Sequence, residues 1–361
     1  METFEKAMRL TRICRMLYQD FKRNKYLRTS ERFISCTSIR CDDVLSSGRS
    51  TKVTEDRDPL PLFMSEEVQT WLQKMTGFDI EKICAPRPFE ADKPTYRLLT
   101  QDELEKEKKR AIQIAKRRIQ MPPVMKMRDG TSKVLRKDPD LNMFSKAKHV
   151  FTDISFGLKD RKRFIVVREP DGTLRTATDK ERDRLNQIYN PQQGRAPVMP
   201  RMFEEEYLEK IIEKGQYRYI LDRACVQFDP DNPDFIRVAH RTYEAVCERH
   251  VFDVLRSTRH FGPMAFYFAW YKKIEPLLAD MVQRDLLSDA VDLIKLYFKI
   301  HQELSSTVVL EENIDELHII KNFCEKMVKN PNYKGQLQLA IQAYEAALSS
   351  QAKRSQSKQI N

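Results

Sequence analysis

A chain of 361 residues with 41% apolar side chains and nine glycines has material for one large or two ordinary cores, but too little glycine for glycine-rich nucleotide-binding turns or an all-β fold with many tight turns. Its net charge of +11 is unevenly placed: 42 Lys and Arg meet 29 Asp and Glu in residues 1–200, or +13, whereas 22 meet 24 in residues 201–361, or −2, which puts polyanion contact in the front half and protein contact in the back. Seven scattered cysteines without a C-x-x-C pair exclude a disulfide framework or zinc finger and point to a reducing compartment, and no apolar run reaches the eighteen residues that a membrane span requires.

Residues 1–61 read as a mitochondrial targeting segment and linker. Leu10, Ile13, Cys14, Leu17 and Phe21 gather on one side of a helical wheel, opposite Arg9, Arg12, Arg15, Lys22 and Arg23. That is the pattern of an import presequence, although Glu2, Glu5, Asp20 and Glu31 are more acid than such segments usually hold. A polar, Ser-rich stretch from Cys41 to Pro61 follows.

Residues 62–147 read as a helical and extended basic region. Ser65 with Glu66 and Glu67 opens a helix that ends near Gly77, and prolines 86, 88 and 94 then keep the chain extended. Thr100 and Glu103 have capping-box spacing, so a helix runs from there to before Pro122 with Leu104, Ala111, Ala115 and Ile119 as its stripe. Acidic residues sit at its start and Lys116, Arg117 and Arg118 at its end, the order that suits a helix macrodipole. Lys109, Arg110, Lys116, Arg117 and Arg118 are candidates for phosphate contact. Lys126, Arg128 and Lys133 join them from the stretch 121–141, which has few apolar residues and is expected to order only against a partner.

Residues 148–200 form a β-hairpin plus capped helix unit and a connector. Val150, Thr152, Ile154 and Phe156 alternate with Phe151, Asp153 and Ser155, the pattern of a strand with one buried face. Phe164 to Val167 form a second strand, and Glu169-Pro170-Asp171-Gly172 is turn chemistry that doubles the chain back through Thr173 to Arg175. Thr178 and Glu181 then cap a helix that runs to Asn190-Pro191. Lys159, Arg161, Lys162 and Arg163 crowd the tip between the first two strands, with Arg168 and Arg175 flanking the hairpin turn, so the unit offers guanidinium forks to phosphate oxygens.

Residues 201–348 read as an array of short antiparallel helices, either α-solenoid-like or irregular, with Asn232 as a cap and Pro233 in the first turn of one of them. Residues 349–361 read as a polar, frayed tail. The aromatic run at Phe261, Phe266, Tyr267, Phe268, Trp270 and Tyr271 fits a core that also meets a protein partner, and Phe261, Phe266, Phe268 and Trp270 are the interface candidates. His240, Tyr243, Cys247 and His250 lack the spacing of a metal or nucleophile site. Asp229, Asp231 and Asp234 lack the glycine and distal Glu of a calcium loop. No catalytic residue, metal, cofactor or small-molecule substrate is therefore assigned.

Several strings stand in one order along the chain: VFTDIS (150–155), RFIVVREPDGTLR (163–175), ERDR (181–184), RTYE (241–244), LRSTRHFG (255–262) and QRDL (283–286). Together they resemble the family of the mitochondrion-specific small-subunit ribosomal protein numbered twenty-two, with similarity from about residue 62 to about residue 348. The resemblance implies a non-enzymatic structural component of the mitochondrial small ribosomal subunit, touching its rRNA and neighbouring ribosomal proteins. The alternative is a dissociable helical-repeat RNA-processing or translation factor of mitochondria. The fold class expected is mainly α with a small antiparallel β-hairpin unit, behind an extended N-terminal region.

Overall fold

Capping signals set the helix starts. The computed structural model describes residues 57–84, 96–128, 130, 132–143, 145–158, 160–301, 316–328 and 330–359, so the expected targeting segment lies, up to residue 56, outside the described residues. Thr100 and Glu103 close a reciprocal capping box at the head of one helix, as do Thr178 and Glu181 at another. The side chain of Asn232 accepts from the Asp234 amide. Each device satisfies amides that have no partner within their own helix.

The described residues divide into two compact units, one made of those up to Pro122 and from Leu255 onward, the other of Pro123–Val254. In the first, α1 (Leu60–Phe63), α2 (Glu66–Thr76), α3 (Ile80–Ile83) and α4 (Gln101–Arg118) join α9 (Phe261–Trp270), α10 (Glu275–Gln283), α11 (Leu287–Ile300), α12 (Glu316–Lys326) and α13 (Pro331–Gln359). The second holds β1 (Val134–Lys137), β2 (His149–Thr152), β3 (Ile165–Arg168) and β4 (Thr173–Thr176). It also holds α5 (Asp179–Tyr189), α6 (Glu205–Glu213), α7 (Tyr217–Gln227) and α8 (Pro233–Glu248). The helical block expected over 201–348 is thus divided, its first three helices packing with the sheet unit and the rest with the front helices.

Helix α9 is the hub of the first unit. Its sequence FGPMAFYFAW is apolar on every side and all ten residues are buried, as a helix without a polar face must be. It meets α2 and α11, and Phe63 packs edge-on against Phe266 with ring centroids 5.2 Å apart. The amide of Ser257 donates to the Thr76 carbonyl at 2.8 Å, and the Asp79 amide to Ser257 Oγ at 3.2 Å. These bonds join segments far apart in sequence. Helix α4 rests on α3 through Ala111 and Ala115 against Ile83 and Cys84. The tail expected to fray from Ser349 continues α13 as backbone helix to Gln359.

In the second unit the strands form one antiparallel sheet in the order β1-β4-β3-β2. The EPDG turn joins β3 to β4 as expected. Strand β1 is an addition: the stretch 121–141, expected to order only against a partner, supplies a fourth strand beside β4. Ile165 and Val167 are the buried residues of β3, and alternation places them on one face with their cross-strand partners Thr152, Val150 and Arg175.

The strand expected through Phe156 with a buried face stops at Thr152, and Val150, Ile154 and Phe156 are exposed. Two causes are visible. Strand β2 lies at the sheet edge, and the Asp153 carboxylate accepts from both the amide and hydroxyl of Ser155, which turns the chain away from the ladder. Helices α6 to α8 complete the unit, with Phe203 against Phe228 at 4.9 Å and Arg241 forked onto Glu209 at 2.6 and 2.9 Å.

Candidate nucleic-acid interface

The structure separates the basic candidates into those spent inside the protein and those presented to solvent. Arg163 belongs to the first group. It is only 7% exposed; its Nη1 donates to the carbonyls of Asp153 and Ser155 at 2.9 and 3.0 Å, and its Nη2 to that of Leu158 at 3.2 Å. A buried guanidinium must be matched by acceptors, and here it gathers the carbonyls of the loop between β2 and β3. Its role is to hold that loop.

Arg175 is likewise engaged. Its Nε and Nη2 reach Glu169 Oε1 at 3.0 and 2.7 Å, while Nη1 and Nη2 reach the two Glu181 oxygens at 2.8 and 2.9 Å. The hairpin turn and the start of α5 are thereby joined. The Arg175 hydrogen bond is the first cause that draws the Glu181 carboxyl down to about 2, and the same arginine lowers Glu169. Arg168 and Arg175 flank the turn on paired strands, but the register pairs Arg168 with Leu174, so alternation puts the two guanidiniums on opposite faces.

Arg128 also turns inward, with Nη2 2.9 Å from Asp183 and Nε 3.2 Å from Asp179. Burial nevertheless pushes the Asp183 carboxyl up. Phe261, Phe266, Phe268 and Trp270, the expected interface residues, are buried inside the first unit. Their apolar surface is satisfied by α2 and α11 and needs no partner.

The second group is exposed or half-buried. Lys109, Arg110, Lys116 and Arg117 all lie on the solvent side of α4, spaced by seven so that they form one stripe. Alanines 111 and 115 face the core. Arg118 is half-buried, and Arg110 lies 3.5 Å from Glu107. In the sheet unit Lys126, Lys133 and Lys162 are exposed and Arg168 is half-buried. Arg161 sits in the short helical turn Asp160–Lys162, while Lys159 lies outside the described residues.

Residues that charge counting passed over lie on the open face of the sheet. Phe151 and Phe164 are 49% and 61% exposed, and the Arg168 guanidinium carbon stands 5.6 Å from the Phe151 ring centroid. The signal was present in the alternation: if Ile165 and Val167 point inward, Phe164, Val166 and Arg168 point out. Cys84 and Cys324 are buried free thiols, and no cluster of His, Cys, Asp and Glu among the described residues could hold a metal. Nor, among those residues, is any helix long and apolar enough to cross a membrane.

Comparison with known proteins agrees with the resemblance that the sequence strings carry. A family described as "Mitochondrial 28S ribosomal protein S22" matches residues 61–302. The small ribosomal subunit protein mS22 of Bos taurus is 45% identical over 294 residues, covering 81% of each chain. That of Mus musculus is 42% identical over 291 residues, 80% of each. The match spans the helices of the front, the sheet and most of the helices behind it, and the chain belongs to the mitochondrial 28S ribosomal protein S22 family.

Proposed function

We infer that the chain is a structural component of the mitochondrial small ribosomal subunit, held by the subunit's rRNA and by neighbouring ribosomal proteins, and that it works without catalysis, cofactor or small-molecule substrate. Its place of work is the mitochondrion. The observation that carries the reading is family membership over four-fifths of the chain. The exposed stripe Lys109, Arg110, Lys116 and Arg117, with Lys126, Lys133, Lys162 and Arg168 in the other unit, supports the rRNA part, because cations that reach solvent can approach a phosphate backbone and displace its counterions. Arg118, Arg161 and Lys159 extend the same two regions in sequence. Arg163, Arg175 and Arg128 act at one remove, by fixing the loop, the hairpin and α5 that carry exposed groups.

Sedimentation of mitochondrial lysate tests the reading. The chain should travel with the small subunit at moderate salt and leave that position after ribonuclease treatment. Release at moderate salt with the subunit intact would overturn it and mark a dissociable factor instead.

A further inference from the structure

We propose that the open face of the four-stranded sheet is a stacking platform for unpaired bases of a single RNA strand, with Phe151 and Phe164 as the stacking rings and the guanidiniums of Arg136 and Arg168 beside them for the backbone. The proposal rests on the rRNA reading above and names the contact within it. Register fixes the layout. Arg136, Leu174, Arg168 and His149 are successive cross-strand partners on β1, β4, β3 and β2, so they form one row across the sheet. Thr176, Val166 and Phe151 form the next, about 7 Å away along the strands. The Asp153 amide donates to the Phe164 carbonyl at 3.2 Å. This bond extends the ladder by one step and sets the Phe164 side chain on the same side as Val166.

Charge selects the occupant. The four strands read VLRK, HVFT, IVVR and TLRT; they carry four cations and no carboxylate, with Arg136 and Arg168 on the open face and Lys137, paired with Thr173, and Arg175 turned to the other. Asp153, opposite Phe164 on that added step, brings a carboxylate to the edge of the face, where it is engaged by the Ser155 amide and hydroxyl; within the strands there is none, which suits a polyanion, repelled by every carboxylate near its path. Every base has a flat face that stacks on an aromatic ring, and the Arg168 guanidinium over Phe151 adds a second flat, cationic surface. A duplex hides its bases, so the partner is a single strand, a loop or a bulge.

The test uses the full chain and two labelled probes in fluorescence anisotropy, a twelve-nucleotide uridine RNA and a blunt RNA duplex, with Phe151→Leu and Phe164→Leu. Leucine keeps the face apolar and removes only the ring, and both positions are exposed enough that folding, checked by circular dichroism, should be unchanged. Each variant should bind the single strand about fivefold more weakly or worse, the lower end of what one stacked base contributes. Duplex binding and the salt dependence should stay as they were, since every cation is kept. Wild-type affinity of both variants for the single strand would overturn the platform while leaving the rRNA reading in place; failure of the wild-type chain to bind either probe would overturn both. Should the variants instead lose only a ribonuclease-resistant protein neighbour, the face belongs to a protein and the proposal is wrong.

Discussion

Arg175 on β4 holds Glu181 in the first turn of α5 by two parallel hydrogen bonds of 2.8 and 2.9 Å, while Glu181 also accepts from the amide and hydroxyl of Thr178. One carboxylate thus closes the helix cap and ties the helix to the hairpin. Its pKa is drawn from the usual 4.5 to about 2. A folded-state value below the unfolded one means that the stabilisation is complete above about pH 4.5 and disappears as pH falls through about 2. With about 1.4 kcal/mol per unit, and allowance for the solvent that reaches Glu181, the contribution is about 2 to 3 kcal/mol. Arg175→Met should therefore lower stability by about that much at pH 6 and flatten its decline between pH 5 and pH 2. Denaturant unfolding across that pH range, with amide exchange in β4 and α5 as the local readout, checks this. An unchanged acid profile would show that the pair contributes nothing.

Gly172 carries two demands. Its φ of +81° suits glycine, and a Cβ there would stand 2.0 Å from the carbonyl oxygen of Asp138, whose amide donates to the Gly172 carbonyl at 3.1 Å. Gly172→Ala should cost more than the roughly 1 kcal/mol of a strained turn alone, because a backbone atom cannot step aside without moving β1. Faster amide exchange at Val134–Lys137 than at β2 and β3 is the expected signature, read by mass spectrometry. Equal exchange in all strands would mean that the turn strains without displacing β1.

Arg163 and Lys162 are neighbours with opposite duties. Arg163→Leu should release the carbonyls of Asp153, Ser155 and Leu158, speed amide exchange in residues 153–158, and cost about 1 to 3 kcal/mol by leaving buried acceptors unmatched. Lys162→Gln, at an exposed position, should leave exchange and stability within about 0.5 kcal/mol of wild type while weakening RNA binding. If Arg163→Leu weakens RNA binding without loosening the loop, the guanidinium touches RNA directly and its internal role is secondary.

The α4 stripe should govern salt dependence. Replacing Lys109, Arg110, Lys116 and Arg117 together with Gln keeps good helix formers on an exposed face. Circular dichroism should be unchanged, and the slope of log affinity against log salt should fall by about 0.7 to 0.9 for each phosphate that is no longer neutralised. An unaltered slope would remove α4 from the interface.

Local chemistry was legible in the sequence because it depends on neighbours a few residues away. Both capping boxes, the Asn232 cap and the EPDG turn follow from spacing within a single turn or helix, and the family follows from short strings kept in order. Tertiary structure alone decided which arginines are available. Arg163, Arg175 and Arg128 look no different in sequence from Lys162, Arg168 or Arg117; what separates them is the presence of carbonyls and carboxylates brought up by β2, α5 and the Asp179–Asp183 face. The addition of β1 and the division of the rear helices between two units were hidden for the same reason. Each depends on which surfaces meet across long stretches of chain, and a cation or an aromatic ring becomes a contact or a brace only when that meeting is settled.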